Sequence, residues 1–115
     1  LKKIVKIIHP EIRSTMNKFI KKNKNKKIVV LDIPLLMENK INKRNDIIIF
    51  VDSRRKEINK RLDKKKNLKI LKKFKKLQLP LEIKKKKSDF IIKNNFNNKV
   101  KKNVKRVLEK ILLND

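Results

Sequence analysis

Residues 28–38 read IVVLDIPLLME, an apolar run rich in β-branched residues that ends in a carboxylate and then meets a proline. An uninterrupted apolar run of this length is typical of a strand buried on both faces of a parallel sheet. We therefore predict a strand over residues 28–33. Ligands of α/β proteins bind at the carboxyl ends of parallel strands, so Asp32 is a candidate functional residue.

Two further apolar runs predict additional strands. Residues 46–52 read DIIIFVD, and residues 89–92 read DFII. Continuous apolar runs separated by long connectors indicate parallel strands that are covered on both faces.

Helices are predicted around these strands by apolar residues at helical spacing. A first helix over residues 1–8 is expected to be broken by His9-Pro10, and the connector 34–45 is expected to include a short helix. The remaining predicted helices span residues 10–22, 54–65, 68–78, 81–87 and 100–112. This order predicts an α/β fold that corresponds to the later part of a doubly wound parallel sheet.

The composition is strongly basic, with 37 Lys and Arg against 11 Asp and Glu and a formal net charge of +26. Such a charge attracts polyanions, including nucleic acid and phosphate ligands. Only six of the basic residues are arginine, and the lysines are scattered among Asn and Ile throughout the chain. This pattern favours a general compositional drift toward lysine over a dedicated polyanion surface.

Missing residue types narrow the function further. With no Cys and one His, the chain is not expected to form disulfides, thiolate metal sites or a zinc centre of its own. Its apolar runs are too short to span a membrane and it opens with no signal-peptide pattern, so we expect a cytoplasmic protein. Because it begins at Leu1 and contains no Gly, we also expect an N-terminally truncated fragment.

Four segments occur in a recognisable order. They are HPEIR at 9–13, LDIPLLME at 31–38, Arg61-Leu62, and QLPL at 78–81 leading into KSDFIIKNN at 87–95. Together they resemble the C-terminal portion of dephospho-CoA kinase, a P-loop kinase. The resemblance implies a P-loop kinase-like parallel sheet flanked by helices. It divides the chain into a helical substrate region at 1–27, a core at 28–60 and 88–115, and lid-like helices at 61–87.

The resemblance implies that ATP, with Mg²⁺, phosphorylates the 3′-hydroxyl of dephospho-CoA to give CoA. Within it, Asp32 matches the catalytic aspartate, and dephospho-CoA contacts fall on His9, Arg13 and Glu38. ATP contacts fall on Arg61, Lys65 and Asn94. Two departures weaken the match: Lys65 replaces an arginine, and Asn95-Phe96 stands where the family has a glycine shortly after Asn94.

Each candidate also has a purely structural interpretation. Asp32 is a possible turn cap, Arg61 a solvated helix charge, His9 and Arg13 local hydrogen-bonding groups, and Glu38 a solvated acid. The P-loop motif G-x-x-x-x-G-K-[ST] is absent from this sequence, so the 115 residues alone are expected to be inactive.

Two rival functions remain: another nucleotide kinase of the same fold, and a small basic nucleic-acid-binding protein. The second is disfavoured because the five Phe residues occupy apolar positions and form no stacking motif. We therefore expect no specific nucleic-acid partner and no membrane partner. The oligomeric state is not predicted.

Overall fold

The computed structural model describes residues 2–63 and 68–113. Contacts divide the chain into two compact units, residues 1–41 and residues 42–115. The model is an α/β protein with a small parallel sheet, which confirms the predicted fold class at this level.

The first unit begins with helix α1, Lys2–Lys22. The prediction that His9-Pro10 breaks this helix was wrong, because α1 runs through Pro10 without interruption. Proline inside a helix removes one backbone hydrogen bond and crowds the preceding turn, which weakens a helix without necessarily ending it. The apolar series at Ile12, Met16 and Ile20 continues beyond the proline, and Met16 is buried.

The predicted strand at 28–33 was also wrong: among the described residues these positions belong to no strand pair. Their exposure alternates, with Val29, Leu31 and Ile33 half-buried and Val30 79% exposed. This period of two is the pattern of an extended chain with one covered face. An apolar run becomes a strand only when a neighbouring strand satisfies its backbone groups, which composition cannot reveal.

The short helix expected in 34–45 is reduced to one turn. The amide of Asn39 donates to the carbonyl of Leu35 at 3.1 Å, as in an α-helix. The turn then closes as a Schellman motif, in which Ile41 N–H donates to Leu36 O at 3.0 Å and Lys40 N–H to Met37 O at 3.1 Å. Lys40 occupies the left-handed position of this motif with φ 50°. The side chain of Ile41 is buried, 3% exposed.

The second unit contains both strands, β1 at Ile49–Asp52 and β2 at Phe90–Lys93. They pair in parallel with Ile49 opposite Phe90 and Asp52 opposite Lys93, which confirms two of the three predicted strands and their direction. The described residues of the unit also form four helices: α2, Arg55–Asp63; α3, Leu68–Leu77; α4, Leu81–Lys86; and α5, Lys99–Leu113. The predicted helices in this half of the chain are therefore confirmed to within their ends over the described residues; positions 64 and 65 of the helix predicted at 54–65 lie outside them.

Asp89 anchors the start of the sheet. Its amide donates to the carbonyl of Ile48 at 2.8 Å, and its carboxylate oxygen Oδ2 accepts from the Ile48 amide at 2.7 Å. A charge-assisted bond of this kind holds the strands in register before the regular ladder begins. Helix α5 packs against β2, and the buried side chains there are Ile92 and Val107. The small core of this unit therefore lies between one strand and the last helix.

Candidate functional site

The carboxyl ends of β1 and β2 carry a group of polar, charged and aromatic residues, which we call the strand-end cluster. Its members are Asp52, Arg61, Lys85, Asn94 and Phe96. Asp52 is the last residue of β1, and Asn94 directly follows β2. The Asn94 amide donates to the Asp52 carbonyl at 2.7 Å, so the two strand ends are joined by a backbone hydrogen bond.

Lys85 of α4 closes one side of the strand-end cluster. Its Nζ donates to Asp52 Oδ2 at 3.1 Å, and the two side chains are 37% and 33% exposed. Partial burial reduces solvent screening, so this charge-assisted bond is stronger than a fully exposed ion pair. It fastens α4 to the end of β1. No sequence pattern indicates this role, because Lys85 lies inside an unbroken run of four lysines, residues 84–87.

Asn94 shapes the turn that follows β2. Its side-chain Oδ1 accepts from the Phe96 amide at 3.0 Å, an Asx-type turn in which a side chain replaces a backbone acceptor. Phe96 adopts φ 57°, in the left-handed region that an L-residue occupies at a cost of roughly 1–2 kcal/mol. The family resemblance implies a glycine shortly after Asn94, and glycine adopts such a φ freely. Phe96 is therefore a costly residue at this point of the backbone.

Arg61 lies on the ring of Phe96. Its guanidinium carbon is 3.6 Å from the ring centroid, a cation–π contact between α2 and the turn after β2. Such contacts at exposed sites stabilise by about 0.5–1 kcal/mol. The structure therefore brings together two predicted ATP-binding residues, Arg61 and Asn94, through Phe96, which the sequence analysis noted only as a departure from the family. The third, Lys65, lies outside the described residues.

Asp32 and the predicted substrate residues lie in the first unit. Asp32 is exposed, and no hydrogen bond or ion pair joins it to the residues described. His9 is half-buried within α1, and Glu38 is half-buried in the turn after Pro34. These positions leave the predicted roles of all three residues as predictions.

Arg13 has a definite structural contact. Its Nη2 donates to the carbonyl of Asn39 at 3.0 Å and to that of Lys40 at 3.4 Å, 26 and 27 residues away in sequence. These carbonyls belong to the end of the Schellman turn, where a guanidinium satisfies acceptors that the turn leaves open. Arg13 therefore joins α1 to the segment that follows Asp32. Its other guanidinium donors remain for a ligand.

Other site types are not supported in the described part of the chain. No group of three or more His, Cys, Asp or Glu side chains gathers there as a metal site. An open depression lined by Lys43, Arg44, Asn45 and Asp46 lies before β1 and includes none of the predicted site residues. Among these residues no helix is both long and apolar enough to cross a bilayer. The predicted cytoplasmic location stays a prediction.

The fold and the strand-end cluster define an α/β protein whose candidate ligand groups lie at the carboxyl ends of parallel strands. A family model described as dephospho-CoA kinase matches residues 1–102. The chain therefore belongs to the dephospho-CoA kinase family, and the predicted resemblance is confirmed. No solved structure matches the chain.

Curated relatives carry the same description. The dephospho-CoA kinase of Fusobacterium nucleatum subsp. nucleatum is 34% identical over 99 residues, covering 84% of this chain and 51% of the relative. That of Wolbachia pipientis wMel is 33% identical over 120 residues, covering 98% and 60%. That of Bartonella quintana is 47% identical over 55 residues, covering 46% and 28%. The chain thus spans about half the length of the first of these relatives.

Proposed function

We propose that this chain is part of an enzyme that transfers the γ-phosphate of ATP to the 3′-hydroxyl of dephospho-CoA, giving ADP and CoA in the last step of CoA biosynthesis. The observation that carries the proposal is the dephospho-CoA kinase family match over residues 1–102. Phosphoryl transfer depends mainly on positioning two polyanions and neutralising their charge, which suits a chain with a net charge of +26.

The strand-end cluster is the proposed nucleotide side. Arg61 is already held beside the turn after β2, where its guanidinium can meet phosphate oxygens, and Asn94 can offer its amide N–H₂ to a base edge. The carboxamide oxygen of Asn94 accepts a hydrogen bond from the Phe96 amide, while no described residue accepts one from the side-chain nitrogen of Asn94. Lys65 completes the proposed ATP contacts as a point charge.

The first unit is the proposed dephospho-CoA side, with contacts from His9, Arg13 and Glu38. The support is the order of the sequence motifs together with the contact that Arg13 makes to the turn after Asp32. This contact places a guanidinium next to the segment that carries the proposed catalytic aspartate. Arg13 can in this way hold the segment and attract a phosphorylated substrate at once.

Mg²⁺ in such enzymes is held by one or two carboxylates together with substrate phosphates, and it neutralises charge on the transferred phosphoryl group. Asp32 fits this requirement because its carboxylate is exposed and unengaged by the described residues. Asp52 fits less well because its Oδ2 already holds Lys85. Asp32 is therefore the residue proposed to act beside the metal and the reacting phosphate.

The phosphate cradle is the part that this sequence does not supply. A P-loop needs glycines so that backbone amides can approach the phosphates, and the 115 residues contain none. In the proposed enzyme the cradle comes from residues outside this sequence. The 115 residues alone are accordingly proposed to bind ligands without catalysing transfer.

The test is an assay of the full-length protein that carries this sequence, following ATP-dependent conversion of dephospho-CoA into CoA. Asp32→Asn is expected to lower kcat on the order of a hundredfold with its fold intact, because the carboxylate acts at the reacting phosphate. Glu11→Gln, which removes an exposed carboxylate of α1, is the matched control and is expected to retain activity. An active Asp32→Asn variant would refute the role of Asp32. An inactive wild-type protein would refute the function itself.

The same preparation separates this function from nucleic-acid binding. A kinase is expected to bind ATP and dephospho-CoA at about 0.15 M salt, where diffuse attraction between exposed charges is largely screened. Tight RNA binding that weakens steeply with salt, together with no response to either small molecule, would favour the basic nucleic-acid-binding alternative.

A further inference from the structure

Phe96 occupies a backbone conformation that disfavours it. With φ 57° and no glycine at this position, the turn after β2 contains an L-residue in the left-handed region. Hydrophobic burial does not explain the choice, because Phe96 is 39% exposed. What distinguishes this side chain is the Arg61 guanidinium, 3.6 Å from the centroid of its ring.

The position of the ring is controlled from two sides. The Asn94 carboxamide accepts from the Phe96 amide at 3.0 Å, which holds the backbone of the turn. The Asn94 amide in turn donates to the last residue of β1, Asp52, at 2.7 Å. The ring of Phe96 is therefore connected to both strand ends through two short hydrogen bonds. A guanidinium resting on it is held near the carboxyl-end edge of the sheet.

Contact with a ring does not use the hydrogen-bonding capacity of the arginine. A separation of 3.6 Å suits two flat groups in van der Waals contact, so the ring covers a face of the guanidinium. The N–H donors of arginine lie in the guanidinium plane and remain directed outward. Phosphate oxygens can be bound there in the bidentate geometry that arginine favours. The ring also limits the rotamers of a long side chain that would otherwise be mobile.

We infer that Phe96 is a positioning residue, which holds the guanidinium of Arg61 at the end of the parallel strands so that it binds the phosphate groups of a nucleotide. This inference rests on the proposed nucleotide role of Arg61. A glycine at position 96 would adopt the left-handed conformation without cost, but it would have no ring on which the arginine could lie.

The first measurement concerns the ligand-free full-length protein that carries this sequence, by NMR of the Arg61 side chain. Ring currents of Phe96 are expected to move the Arg61 Hδ resonances upfield. Phe96→Leu is expected to abolish this shift and Phe96→Tyr to retain it, since tyrosine keeps an aromatic face. Phe74→Leu is the matched control, because Phe74 of α3 is 44% exposed against 39% for Phe96. Unshifted Arg61 resonances in the wild-type chain would overturn the inference.

The second measurement is a titration of the full-length protein with ADP at about 0.15 M salt, followed at the Arg61 Nε–H resonance. Phe96→Leu is expected to raise the dissociation constant roughly two- to tenfold, because ADP binding must then immobilise an arginine side chain that the ring no longer holds. Phe96→Tyr and Phe74→Leu are expected to match the wild type. In an Arg61→Gln background, Phe96→Leu is expected to change ADP binding no further.

The outcomes separate the two levels of the proposal. A full-length wild-type protein whose Arg61 resonance shows no saturable response to ADP would overturn the nucleotide role of Arg61 and, with it, the binding half of this inference. The ligand-free spectrum would still show whether Phe96 positions the arginine. Equal ADP affinity in the wild type and Phe96→Leu would overturn the positioning role while leaving the proposed function intact. An equal loss from Phe96→Leu in the Arg61→Gln background would also overturn it, because Phe96 would then act independently of the arginine.

Discussion

Lys40 offers a direct test of the turn that follows the Asp32 segment. It holds the left-handed position of the Schellman motif with φ 50°, and its amide and that of Ile41 make the two defining hydrogen bonds. Its side chain is exposed, and only its carbonyl takes part in the contact with Arg13. Replacement by glycine therefore changes the backbone preference and removes little else.

The magnitude follows from two opposing terms. An L-residue in the left-handed region costs roughly 1–2 kcal/mol, which glycine does not pay. Glycine also lowers the free energy of unfolding by about 0.5–1 kcal/mol, because it increases the conformational entropy of the unfolded chain. Lys40→Gly is therefore expected to raise the free energy of unfolding by about 0.5–1 kcal/mol. For an unfolding slope of about 1–3 kcal/mol per molar urea, the midpoint rises by roughly 0.2–1 M.

The assay is urea unfolding followed by circular dichroism, with hydrogen exchange of the Ile41 amide as a local measure of the Schellman turn. Lys40→Ala removes the same charge while keeping the left-handed cost, so it controls for charge. Lys43→Gly places glycine at an exposed loop residue without a positive φ and is expected to destabilise. If Lys40→Gly is no more stable than Lys40→Ala, or if Lys43→Gly gains as much, the strain argument is refuted.

Two further predictions concern the second unit. Val107→Ala on α5 is expected to lower the free energy of unfolding by about 1.5–2.5 kcal/mol, because the Val107 side chain is only 5% exposed. Val104→Ala is the control and is expected to lower it by less than about 1 kcal/mol, because Val104 is 44% exposed. Thermal unfolding of both variants checks this prediction. Lys85→Gln is expected to cost about 1 kcal/mol through loss of its bond to Asp52, an effect that shrinks with added salt. Lys105→Gln, which breaks a 4.0 Å pair at a 78% exposed lysine, is expected to cost at most about 0.5 kcal/mol, and equal losses in the two lysine variants would contradict the importance assigned to partial burial.

Local sequence patterns were sufficient for the second unit. The apolar runs at 46–52 and 89–92 contain the observed strands except for Lys93 at the end of β2, and their uninterrupted character correctly indicated parallel pairing. Helices α2 to α5 followed from apolar spacing. These elements are predictable because the apolar face that forms each of them lies within the element itself.

The first unit was harder because its structure depends on partners that lie far away in sequence. Residues 28–33 have the composition of a strand, but a strand also needs a neighbour. Arg13 reaches carbonyls 26 and 27 residues away, and no motif in the sequence indicates that contact. Pro10 does not end α1, because the apolar pattern continues beyond it and the helix tolerates the loss of one backbone hydrogen bond.

The site shows the same limit at the level of single residues. Arg61 and Asn94 were identified through the family resemblance, but the residue that joins them was not. Phe96 departs from the glycine of the family pattern, and its importance depends on a backbone angle and a ring contact, neither of which a pattern records. Lys85 is one of four consecutive lysines, and the sequence does not indicate its 3.1 Å bond to Asp52.

The difference between held and mobile basic side chains bears on whether the large positive charge forms a specific binding site. If the 37 basic residues formed one diffuse surface that binds polyanions, their side chains would be equivalent, exposed and mobile. The structure instead holds two of them in defined positions at the strand ends, Arg61 on an aromatic ring and Lys85 on a carboxylate. Lys105, by contrast, is 78% exposed and reaches Glu109 only at 4.0 Å. Side chains that have already lost rotamer freedom bind a phosphate at a smaller entropic cost than mobile ones do. A specific phosphate site is therefore expected at the strand ends, with most of the remaining lysines acting as a diffuse field that salt screens.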